Sequence, residues 1–222
     1  MSNFLYYLWN FKPGEKNSFL DLNKKVIDNN KKFFRYSTVI RPLLIEHLIE
    51  NEKGPLNSCI FPKLKELYYK IPKWIIKTDL ARLLIIYHSG GAYCDSDCEI
   101  KKNFNYLLQN NNLILFTEKI IKDPNVLGER ECKSNKIRIA NYFFYSKIKE
   151  HPFLKEVIDE CLKRIQILLN ENIENISHQD ILWCCGPDVI TSIYHLKKDQ
   201  YKDIILCDKT FLNHSCSGSW RK

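Results

Sequence analysis

The chain has 222 residues, 45% of them hydrophobic, with only 7 glycines and 8 prolines, a composition that supports one sizeable core and excludes a disordered or collagen-like chain. Its formal net charge of +8 suits anionic partners such as nucleotide-sugars, nucleic acid or lipid head groups. The basic residues fall in short clusters, as in Lys24-Lys25, Lys31-Lys32, Lys101-Lys102 and Lys197-Lys198, which read as solvated faces rather than one binding stripe.

Phe4 to Trp9 is an apolar, aromatic run closed by the turn residues Lys12-Pro13-Gly14, and predicts a first strand. Ser18 is placed as the N-cap of a helix running to about Asn29. Phe33 to Ile40 is rich in strand formers, and Arg41 to Glu50 follows as a helix with Pro42 in its first turn. From Asn51 to Ile71 the chain carries Gly54, Pro55 and Pro62 and is expected to be irregular, with a short helix around Lys63 to Tyr69. Lys73 to His88 has the clearest helical pattern, with Trp74, Ile75, Leu80, Leu83, Leu84 and Tyr87 at helical spacing. Ser89-Gly90-Gly91 ends it, because glycine accepts the left-handed cap conformation. Ala92 to Cys94 then reads as a short strand that delivers Asp95-Ser96-Asp97 at its carboxyl end.

Further strands are expected at Leu113 to Phe116 and Ala140 to Tyr145, followed by a helix from Pro152 to about Asn170 with Leu154, Val157, Ile158, Cys161, Leu162, Ile165 and Leu168 along its apolar side. A helix near Asp188 to His195, a strand at Ile204 to Cys207 and a tail containing Gly and Ser complete the chain. Strands alternating with helices predict an α/β sandwich. Without an internal repeat or linker, residues 1–222 are expected to form a single domain. No stretch reaches the roughly 18 consecutive apolar residues of a spanning helix, and residues 1–11 lack the pattern of a secretory signal. The nine cysteines show neither a disulfide framework nor zinc-site spacing, and read as buried free thiols of a reducing compartment. A cytoplasmic protein with at most peripheral membrane association is expected.

Asp95 and Asp97 stand one residue apart in a tight turn after a strand, so both carboxylates can reach one divalent ion. Hard oxygen ligands favour Mg²⁺ or Mn²⁺. Such an ion keeps positions open for substrate phosphates and neutralises charge on a diphosphate leaving group. The preceding helix carries Asp79 and Arg82 at i, i+3, on one face. In isolation they read as a surface ion pair. Because the helix feeds directly into the Asp95–Asp97 turn, its polar face can instead lie beside the metal, with Asp79 accepting from sugar hydroxyls and Arg82 donating to them.

The run Thr78-Asp79-Leu80-Ala81-Arg82, then Leu84, Tyr87, Gly90-Gly91, Tyr93 and Asp95-x-Asp97 resembles the signature of the DXD-type glycosyltransferases, among them Golgi α-mannosyltransferases, α-1,4-galactosyltransferases and capsular-polysaccharide transferases. The glucosylating domain of the large bacterial toxins is similar over this stretch. Tyr6-Tyr7-Leu8-Trp9 resembles the family's first strand, whose tryptophan stacks on the donor base. The Pro-Lys-Ile-Ile-His-like run usual there is absent, and a core tryptophan is the other reading of Trp9. Asn141 and His151-Pro152-Phe153 resemble the acceptor-side loop and the helix after it. Gly186-Pro187 with Val189 and Thr191 resembles a further family element, and Asp180 before it stands either near the donor sugar or as an N-cap carboxylate. The segment Asn213 to Trp220 resembles the closing His…Ser-Trp element, with Gly218 and Ser219 lending it the freedom to order over a bound donor. The alternative there is a frayed chain end.

The resemblance implies a GT-A-like, Rossmann-type α/β/α sandwich with a mixed central sheet and the nucleotide over the carboxyl ends of its strands. It implies a retaining transfer from an α-linked UDP- or GDP-sugar to a glycan, a lipid-linked sugar or a protein, with Mn²⁺ or Mg²⁺ as cofactor and no nucleic-acid partner. Asp95, Asp97 and His214 are then the metal ligands, Asp95, Asp97 and Asp180 the catalytic carboxylates, and Trp9, Asp79, Arg82, Tyr93, Ser96, Ser219 and Trp220 the donor contacts. His47, His88, His151, His178 and His195 lack such context and read as surface or packing residues. Two rivals stay open: a degenerate member that binds nucleotide-sugar without turnover, and a basic protein that binds nucleic acid or polysaccharide. A phosphotransferase or nucleotide hydrolase finds no glycine-rich phosphate loop in the sequence.

Overall fold

Side chains that alternate between the two faces of a central sheet divide the interior into two layers. The computed structural model describes residues 4–15, 19–123, 125, 130, 135–171 and 175–215. In chain order the elements are β1 (Phe4–Leu8), α1 (Phe19–Asn30), β2 (Tyr36–Ile40), α2 (Pro42–Glu50), α3 (Leu64–Lys70), α4 (Trp74–Ser89), β3 (Gly91–Cys94), β4 (Cys98–Ile100), β5 (Leu113–Ile120), β6 (Ile137–Ile139), β7 (Phe143–Ser146), α5 (Pro152–Glu171), α6 (His178–Cys184), α7 (Pro187–Lys197), β8 (Ile204–Cys207) and β9 (Leu212–His214). Short 3₁₀ turns lie at Asn105–Gln109 and Lys209–Phe211.

The main sheet has the order β2-β1-β3-β7-β5-β6, with β8 also paired to β5. β1 runs parallel to β2 and β3, and β8 parallel to β5, while β7 opposes β3 and β5 and β6 opposes β5. The sheet is therefore mixed. A separate antiparallel pair, β4 and β9, lies off it.

Tyr6, Leu8, Tyr93, Leu113, Leu115 and Phe144 point to one face, where the buried sides of α2 to α7 cover them. Leu5, Tyr7, Ala92, Cys94, Ile114, Phe116, Phe143 and Tyr145 point to the other, packed against Phe19 and Ile27 of α1, Leu108 and the β4–β9 pair. This is the period of two expected of strands buried on both faces, and it yields the α/β/α sandwich.

Pro42 opens α2 at its first helical position. In α4, Asp79 to Tyr87 are all buried, Asp79 and Arg82 included, so the helix lies inside the domain and the Asp79–Arg82 pair is not on the surface. Gly90 ends it at φ +66°. The expected strand over residues 140–145 begins only at Phe143, because Asn141 and Tyr142 leave the ladder to bond elsewhere. β4, β6 and β9 have three residues each and were not anticipated. Nor was α6, whose N-cap is Ser177. Asp180 is its third helical residue, and the two close a reciprocal capping box. Ser18, expected to cap α1, lies outside the described residues. Among the described residues no helix is long and apolar enough to cross a membrane.

Candidate metal and donor site

The site sits where β3 ends at the carboxyl edge of the sheet. β3 stops at Cys94, and the chain turns through Asp95-Ser96-Asp97 into β4, with the Cys98 N–H donating to the Asp95 carbonyl at 3.0 Å. The Asp95 N–H donates to the carbonyl of Tyr142 at 2.8 Å, so the residues that leave the β7 ladder hold the start of this turn. Asp95, Ser96 and Asp97 are half-buried.

β9 lies antiparallel on β4 with His214 opposite Cys98. That register carries the imidazole onto the turn: His214 Nε2 is 3.1 Å from Asp97 Oδ1 and 3.8 Å from Asp95 Oδ2. Tyr142 stacks flat on the ring at 4.0 Å between centroids. The Ser215 N–H donates to the Asp97 carbonyl at 3.1 Å, closing the edge of the small sheet. One potential ligand atom from each of Asp95, Asp97 and His214 lies within 4.8 Å of the other two. Two carboxylates and one imidazole around a common centre fit a divalent ion that accepts oxygen and nitrogen, Mn²⁺ more readily than Mg²⁺.

Behind the turn lies a buried charge network. Arg82 Nη2 is 2.5 Å from Asp79 Oδ1, and Arg82 Nη1 donates to the Asn141 carbonyl at 2.9 Å and lies 3.3 Å from Asp95 Oδ1. The guanidinium packs 4.8 Å over the Tyr93 ring, while the Tyr93 hydroxyl donates to Asp95 Oδ1. Asn141 Nδ2 donates to Asp79 Oδ1 at 3.4 Å.

Burial pushes the Asp79 carboxyl up to about 7 against the pull of Arg82. It also raises the Asp95 carboxyl, with Arg82 and the Tyr93 hydroxyl opposing. For His214, burial alone disfavours the charged ring, but the Asp97 hydrogen bond and the charges of Asp95 and Asp97 outweigh it and raise its pKa. The carboxylates around His214 thus favour a positive charge at that spot.

The remaining residues singled out in the sequence fall as follows. Trp9 stands at the carboxyl end of β1, next to β3, with its N–H on the Ile40 carbonyl at 3.1 Å and its ring edge-on to Phe19 at 5.3 Å. Ser96 is at the tip of the turn. Asp180 is not part of the Asp95–Asp97–His214 group. Its carboxylate accepts from Ser177 and lies 3.4 Å from Arg130. Ser219 and Trp220 lie outside the described residues.

Sequence reasoning missed Tyr142, which sits inside an apolar run and carries no signal of its own. It also missed Glu118, whose charge reaches His214 and which leads through Arg138 at 3.5 Å to Asp188, 2.8 Å beyond.

Comparison with known proteins agrees with this geometry. Residues 14–114 match the family described as "Glycosyltransferase sugar-binding region containing DXD motif". Among curated proteins, an initiation-specific alpha-1,6-mannosyltransferase of Candida albicans (strain SC5314 / ATCC MYA-2876) is 29% identical over 104 residues, which are 44% of this chain and 27% of that protein. The likeness thus spans little more than a quarter of that relative's length. Among solved structures, the PaToxG glycosyltransferase superposes with a TM-score of 0.53 at 17% identity, over 88% of this chain and 69% of its own, and shares the fold. A glycosyltransferase involved in glycosylation of the major capsid of PBCV-1 superposes with a TM-score of 0.37 at 13% identity, over 96% and 93% of the two chains. A carboxylate-rich turn at the edge of a GT-A-like sheet thus lies within residues 14–114, the part of the chain that is similar to the DXD-containing sugar-binding region of glycosyltransferases.

Proposed function

We propose that this chain is a glycosyltransferase that takes a sugar from a UDP- or GDP-sugar, with retention of configuration, using a divalent cation held by Asp95, Asp97 and His214. The observation that carries this reading is the convergence of those three side chains, drawn from the β3–β4 turn and from β9, onto one point at the carboxyl edge of the sheet. A bound Mn²⁺ or Mg²⁺ supplies charge neutralisation for a diphosphate leaving group. The protein's own part is to fix three ligands in place before the donor arrives, which removes reorganisation from the reacting complex. His214 serves as a neutral ligand, and the flat stack of Tyr142 holds its ring plane. Trp9, on the neighbouring strand end, is assigned to the donor base. Ser96 at the tip of the turn, together with Ser219 and Trp220, is assigned to the donor phosphates. Asp180, engaged in its helix cap, is left out of the chemistry. The acceptor class is a glycan, a lipid-linked sugar or a protein.

The test is a screen of UDP- and GDP-sugars with Mn²⁺, reading released nucleotide. Slow hydrolysis of one donor is expected, abolished by EDTA and by Asp97→Ala. No turnover of any donor, together with no Mn²⁺-dependent thermal shift from UDP or GDP, would overturn the reading.

A further inference from the structure

The two oxygens of Asp95 have different surroundings. Oδ1 receives the Tyr93 hydroxyl and lies 3.3 Å from Arg82 Nη1. Oδ2 is the atom that faces His214, at 3.8 Å from Nε2. Arg82 is anchored besides by Asp79 on its own helix at 2.5 Å and by the Asn141 carbonyl at 2.9 Å. Its guanidinium carbon lies over the Tyr93 ring. Helix α4, strand β3 and the loop before β7 thus grip one guanidinium, and that guanidinium grips one carboxylate oxygen. Both terminal nitrogens of Arg82 have protein acceptors.

We infer that Arg82 and Tyr93 are positioning residues for Asp95: they occupy Oδ1 and so dedicate Oδ2 to the cation, making Asp95 a one-oxygen ligand. The inference rests on the cation reading above. Its physical basis is that a carboxylate free to rotate can chelate with both oxygens or turn away. Two donors fixed on one oxygen remove that freedom and set the direction of the other. Groups that orient a metal ligand in this way typically alter metal affinity by about 10–100-fold when removed.

Two substitutions test it, Tyr93→Phe and Arg82→Lys. Tyr93→Phe deletes one hydroxyl and keeps the ring beneath the guanidinium. Arg82→Lys keeps the charge but not the fork that spans Asp79 and Asp95. Mn²⁺ affinity is read without donor from the electron paramagnetic resonance signal of free Mn²⁺, and UDP and GDP affinity is then read at saturating Mn²⁺. Thermal melts in EDTA check folding. For Tyr93→Phe the expected result is Mn²⁺ binding about tenfold weaker, with any change in nucleotide affinity at saturating Mn²⁺ smaller than that and a metal-free melt that stays cooperative. Arg82→Lys is expected to weaken Mn²⁺ binding further. Wild-type Mn²⁺ affinity in Tyr93→Phe, or a loss confined to nucleotide affinity, overturns the inference and leaves the cation reading standing. A wild-type protein that binds no Mn²⁺ overturns both.

Discussion

Gly90 is held at φ +66° between α4 and β3, and a Cβ there would lie 3.3 Å from both the carbonyl carbon and the oxygen of Ile148. The backbone is strained for any side chain there, and Ile148 would have to give by a few tenths of an ångström. Gly90→Ala is expected to destabilise the fold by about 1–3 kcal/mol, seen as a lower urea midpoint at an unchanged slope. A glycine pair after a periodic helix is a stop signal that a sequence displays openly, and so is an Asp-x-Asp after a short strand. The burial of Asp79 and Arg82 was less accessible. Their i, i+3 spacing is the same on a wet surface as in a core, and only packing on every side of α4 distinguishes the two. Tyr142 was unreadable for the opposite reason, since an aromatic in an apolar run looks like core whichever way it turns.

The start of α5 carries the clearest pH dependence outside the proposed cation site. His151 is fully buried, its Nδ1 accepts the N–H of Phe153 at 3.2 Å, and its Nε2 lies 3.3 Å from Asp203 Oδ2. Charging the ring would put a proton on Nδ1 and break the bond that holds the first turn of the helix. Burial accordingly lowers the His151 pKa from 6.5, with Asp203 pulling the other way. Because the folded pKa lies below the unfolded one, the unfolded chain takes up the proton first. Stability is then level above pH 6.5, falls as the pH drops below it, and stops falling below the folded pKa. Urea titrations at pH 7.5, 6.5 and 5.5 are expected to show that loss, and His151→Asn to remove its histidine component. Of the elements themselves, the long helices and β1, β3 and β8 were legible because each repeats its pattern several times or ends at a strong turn signal. β4, β6 and β9 were not. Three residues hold too little of a period of two to stand out, and β4 and β9 depend on each other across more than a hundred residues of chain.

Across the whole molecule the α/β sandwich was readable from the alternation of elements. The strand order was not, because neither the insertion of β7 between β3 and β5 nor the return of β8 to β5 leaves a mark in local pattern. His214 and Asp97 are 117 residues apart, and the cation proposed here would join those segments only in the folded state. Mn²⁺ at one hundred times its dissociation constant is therefore expected to add about 2.7 kcal/mol to stability, measurable by urea titration, and to add far less to Asp97→Ala. The position of β9 has a consequence for synthesis as well. Every strand of the main sheet precedes it in the chain, so a growing polypeptide has its sheet strands and both carboxylates before it has the imidazole. A product that stops short of residue 214 carries the acidic turn without His214, and an unfinished copy cannot assemble the full cation site proposed here.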